Sequence, residues 1–117
     1  MTAPGDQVLS VRFFANAQGR EPVREWLGEL GKAERMALGT DIKTVQIGWP
    51  LGMPLVRKLE AGLWEIRTTL PGGIARVLFT TTGSTMVLLH GFIKKSQKLP
   101  QPDLDIARRR MKDVHRG

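Results

Sequence analysis

A chain of 117 residues is sized for one domain, residues 1–117, with a modest core. It has no cysteine, which excludes disulfides, thiol nucleophiles and thiolate metal sites; 18 basic against 11 acidic residues give a net charge of +7. The surplus is uneven: residues 1–89 carry 10 basic and 8 acidic side chains, and residues 90–117 carry 8 and 3.

That skew makes the C-terminal quarter the expected contact for a polyanion or an acidic partner. The opening MTAPGDQVLSVRFF lacks a basic segment followed by a long apolar one, so no secretory leader is expected. No run approaches the roughly 18 apolar residues of a membrane span. No membrane role is expected, and cytoplasm is the expected setting.

The β-rich segment from Val8 to Phe14 predicts a first strand, closed by a turn over residues 16–20. Pro22 marks a helix start, and Val23, Trp26, Leu27 and Leu30 keep helical spacing up to a stop at Gly31. A second helix is predicted from Lys32 to about Ile47, with Leu38, Ile42 and Val45 on one face and Met36 flanking it. Together these helices read as an antiparallel hairpin, in which Trp26 and Trp49 are packing residues. Four strands follow, at 55–60, 63–70, 74–81 and 85–93, joined by short Gly-bearing turns that favour antiparallel neighbours. The last is the most apolar and reads as a central strand. A final helix from about Pro102 to Val114 carries a stripe of Leu104, Ala107, Met111 and Val114. The fold class is therefore α+β: a compact antiparallel sheet with an N-terminal strand, a helical hairpin and a C-terminal helix.

Alternation along the strands sets Leu63, Glu65 and Arg67 on one face of one strand, and Ile74, Arg76 and Leu78 on one face of the next. If the register brings Arg67 and Arg76 together, their planar donor forks suit a phosphate. The competing reading pairs each with a carboxylate, Glu65 or Glu60. His90, near the end of the last strand, has the chemistry for proton transfer near neutral pH. Gly91 beside it would let the backbone approach a ligand. Lys94, Lys95, Gln97 and Lys98 form a basic exit from that strand. His115 reads as inert. No metal-ligand cluster, phosphate loop or catalytic triad is visible, so neither metal nor cofactor is expected.

Three segments carry a resemblance: KLEAGLWEIR at 58–67, RVLF at 76–79 and LLHGFIKKSQKLP at 88–100. Together they resemble the phage Gp49-like group of toxins, in the HigB branch of the RelE/ParE toxin superfamily, over about residues 8–114. The resemblance implies a type II toxin that cleaves messenger RNA at the ribosome, without a metal or cofactor, and so blocks translation. It also implies a helix-turn-helix, HigA-like antitoxin as partner. By motif position Arg76 and Arg67 would stabilise phosphate charge. Lys94 and Lys95 would do the same, one as an acid, while Lys58, Gln97 and Lys98 would hold ribosomal RNA or message. His90 would be the proton-transfer candidate. The C-terminal tyrosine of some RelE relatives has no counterpart, because the chain contains no Tyr; the general base stays open. ParE-like gyrase inhibition by binding, or an inactive relative that binds only antitoxin or nucleic acid, are the alternatives, and fold alone does not separate them.

Overall fold

The computed structural model describes residues 8–95 and 98–116. In chain order the elements are β1 (Ser10–Phe13), α1 (Pro22–Glu29), α2 (Lys32–Gly48), β2 (Val56–Glu60), β3 (Leu63–Leu70), β4 (Gly73–Thr82), β5 (Thr85–Lys94) and α3 (Gln101–Arg116). One five-stranded sheet has the order β1-β5-β4-β3-β2. The β2–β3, β3–β4 and β4–β5 pairs are antiparallel. Gly62 and Gly83 make two of the tight turns possible, at φ +79° and +58°, where a Cβ would be strained.

One feature departs from the sequence-based expectation. The sheet is mixed, because β1 runs parallel to β5. β5 is interior, as expected of a central strand, and β4 next to it is the middle one. The long buried run of β4, from Ala75 to Thr80, reflects cover on both faces.

The helices divide the two faces. On one side α1 lies on β5 and β1, and α2 on β3, so the hairpin splays across the sheet. Val23, Leu38, Ile42 and Val45 meet Ile66, Val77, Phe79, Met86 and Leu88 there. Each such buried side chain contributes about 1.5–3 kcal/mol. Trp49 joins this core edge-on to Trp64 at 5.0 Å and Phe79 at 5.5 Å. Met36 stays exposed, apart from the predicted face. Gly31 is not a left-handed stop: its φ is −64°. It instead opens α2, its N–H donating to Glu34 Oε1 at 3.1 Å.

On the other side α3 seats Leu104, Ala107, Met111 and Val114 against Leu63, Leu78, Val87 and Leu89. This division positions the site.

Candidate functional site

Ladder register fixes which side chains share the α3 side of the sheet. Across β3, β4 and β5 three rungs follow one another: Glu65–Leu78–His90, Arg67–Arg76–Phe92 and Thr69–Ile74–Lys94. Side chains two apart on a strand point the same way, so all three rungs face the α3 side. Arg57 on β2 extends the first rung, opposite Glu65. Arg67 and Arg76 are thus direct register partners, as the groove reading required.

The carboxylate reading holds as well, at a single residue. Arg67 Nε lies 3.7 Å from Glu65 Oε1, and Arg76 Nε lies 3.9 Å from Oε2. Glu65 and Arg76 are fully buried and Arg67 is 17% exposed. Glu60 takes no part; it pairs with Arg108 of α3 at 2.7 Å. Burial pushes the Glu65 carboxyl above its ordinary range, against the opposing pull of Arg76, Arg67 and Arg57. Burial also lowers Arg76, partly offset by Glu65 and reinforced by Arg67 and Arg57.

Lys98, shortly before α3, lies by this rung, where Arg76 Nη1 donates to its carbonyl at 3.3 Å. Lys98 therefore contributes backbone to the site while its side chain is exposed. Lys94 stands exposed one rung beyond Arg76, and Lys95 is exposed just after the strand. On the β3 side Arg67 opens into a cleft of about 600 Å³ lined also by Asp41, Pro54, Leu55, Thr69 and Ile74.

The other predicted site residues lie apart. Lys58 pairs with Trp64, which packs into the hairpin-side core, so it sits on the opposite side of the sheet from Arg67 and Arg76. Gln97 lies outside the described residues. His90 is diagonal to Arg76 but two strands from Arg67, about 10 Å at the usual strand spacing. Its Nε2 meets Asp103 Oδ1 of α3 at 2.6 Å, and it borders a separate groove with Trp26 and Arg110. A bulge explains its direction: Leu78 pairs with His90 but Phe79 with Leu88, so Leu89 is the extra residue and both Leu89 and His90 turn toward α3. Gly91 serves packing, not ligand approach; a Cβ there would come within 2.4 Å of the Trp26 ring.

Sequence reasoning missed Arg57 and Asp103, and it saw Glu65 only as a competitor. The Glu65-x-Arg67 alternation was the available signal. Among the described residues no group of three His, Cys, Asp or Glu side chains gathers as a metal site.

The family model described as phage-derived protein Gp49-like matches residues 25–112, which include Arg57, Glu65, Arg67, Arg76, His90, Lys94 and Asp103. The chain belongs to the Gp49-like family. A search of curated proteins finds no match. The Gp49-like family is a RelE/HigB-type toxin family, so membership points to the toxin of a toxin–antitoxin pair and implies an antitoxin partner. No described helix of this Gp49-like chain is long and apolar enough to cross a membrane.

Proposed function

We propose that this Gp49-like chain is the toxin of a type II pair and an endoribonuclease that cuts messenger RNA at the ribosome, inhibiting translation. The observation that carries the reading is the Arg67–Arg76 rung, with Lys94 on the next rung of the same face. Arg57 adds a further cation opposite Glu65.

The reaction needs little else from the protein. A ribose 2′-oxygen attacks the adjacent phosphorus, the P–O5′ bond breaks, and negative charge builds on the non-bridging oxygens. Arg67, partly exposed on this rung, would donate to those oxygens, and buried Arg76 would add positive charge beneath them. The 2′-hydroxyl proton must leave and the 5′-oxygen must gain one. Lys94 or Lys95 at the strand exit serves as acid. His90, held by Asp103 and diagonal to Arg76 across the β4–β5 ladder, is the proton-transfer candidate. A helix-turn-helix, HigA-like antitoxin with an acidic surface would neutralise the toxin by covering this basic region.

The deciding experiment maps new 5′ ends on a reporter message in a reconstituted translation reaction, with and without ribosomes. Wild type is compared with an Arg67→Gln, Lys95→Gln double variant. These positions keep some solvent contact, whereas Arg76→Ala would strand buried Glu65 and confuse activity with folding. Ribosome-dependent cuts that the double variant loses support the reading. Intact message beside growth arrest in cells overturns it and turns attention to gyrase; no arrest at all points to an inactive relative.

A further inference from the structure

We infer that Glu65 is the positioning residue of the arginine pair: its carboxylate lies between partly exposed Arg67 and buried Arg76, neutralises one of their charges and sets where the Arg67 guanidinium meets a phosphate, with Arg76 adding positive charge from beneath. The inference rests on the proposed phosphodiester cleavage and deepens it.

The geometry is that of a spacer. Each arginine meets a different oxygen, Arg67 at Oε1 and Arg76 at Oε2, and both approach through Nε. A guanidinium is planar, so a negative charge beside its Nε edge biases the direction of the whole fork. Both separations exceed hydrogen-bond length, and neither oxygen of Glu65 accepts a hydrogen bond from a described residue. The carboxylate therefore acts through charge and shape, and it does not clamp either arginine in a tight bidentate pair.

Stability alone gives no reason for this arrangement. A buried ionic group is commonly matched or surpassed by an apolar side chain of similar volume. The same sheet face shows the apolar solution a short distance away, where Leu63, Leu78, Val87 and Leu89 pack under α3. Glu65 also faces Arg57 across the ladder, so three arginines share one acid and the cluster keeps a net positive charge. That excess suits a phosphate whose negative charge grows during the reaction.

Glu65→Gln keeps the shape and removes the charge. Three quantities are measured on the full chain: thermal midpoint, affinity for a short single-stranded RNA across a salt series without ribosomes, and single-turnover cleavage of ribosome-bound message at saturating toxin. The expected result is a split. The midpoint holds or rises, RNA binds several-fold tighter with a steeper salt slope, and cleavage falls at least about tenfold because Arg67 loses its placement. Binding and cleavage both at wild-type levels would overturn the inference, as would all three quantities falling together, which is the mark of a merely structural role. Should the Gln variant fail to fold, Glu65→Asp keeps the charge and draws it back by one methylene. Slower cleavage at an unchanged salt slope then supports the inference, and wild-type cleavage overturns it. If the wild-type chain cuts no message, the proposed activity fails, while the binding series still reports whether Glu65 offsets arginine charge.

Discussion

Glu65 shows how one carboxyl group couples folding to pH. Its pKa is raised in the folded chain because burial outweighs the arginines around it. The native state therefore binds more protons than the unfolded state between the unfolded carboxylate value, about 4.3, and the higher folded value. In that window stability falls as pH rises, by up to about 1.4 kcal/mol per pH unit for one proton. Below the window this penalty is absent; above it the penalty is complete. Urea unfolding of wild type and Glu65→Gln at steps from about pH 4 to about pH 9 isolates the term from every other carboxylate. The difference should shift in favour of the Gln variant through the window and then level off. A flat difference would mean that the arginines fully compensate burial.

Among the elements, α2 and β5 differ in how their glycines can be changed. Gly39 lies in the exposed middle of α2, and a Cβ there meets nothing within 4 Å. Gly39→Ala should stabilise the chain by about 0.5–1 kcal/mol, read as a higher urea midpoint at constant slope. Gly91 on β5 is the opposite case, because the Trp26 ring of α1 occupies the space of its Cβ. Gly91→Ala should cost about 1–3 kcal/mol or more. Adding Trp26→Leu should recover part of that loss, a non-additivity that a double-mutant cycle measures.

The same elements show what was legible in the sequence. Local signals sufficed for α1, α2, β3, β4 and α3, since helical spacing, strand alternation and Gly-bearing turns act within a few residues. They also set Glu65 with Arg67, and placed Arg76 between Ile74 and Leu78. What they could not carry was register. The bulge that turns His90 toward Asp103 and the irregularity between Lys58 and Glu60 depend on neighbouring strands. So do the sharing of Glu65 by two arginines, the opposite placement of Lys58 and the demand of Trp26 on Gly91. The parallel β1 was hidden for the same reason: strand character is local, whereas partner choice is not.

Over the whole molecule, the net charge of +7 should govern encounter with RNA. Affinity for a single-stranded oligonucleotide should fall with salt at a log–log slope of about −0.7 per phosphate neutralised. Replacing Lys94, Lys95 and Lys98 with Gln should flatten that slope by about 2. The same change at Arg109 and Lys112, exposed on α3, should matter less, because they lie away from the arginine rung. Equal effects would mean a diffuse basic surface with no focus at the sheet.

The parallel seam between β1 and β5 also sets an order of events during synthesis. Ser10 pairs with Thr85, far along the chain, so β1 has no partner until β5 has been made. Long-range pairing of this kind delays closure of a sheet. β5 is also the strand that brings Lys94 beside Arg76, and α3 follows it. A nascent chain halted before β5 therefore lacks both its sheet closure and a complete cationic face. Whatever the cationic face binds, it is assembled only once β5 has joined β4.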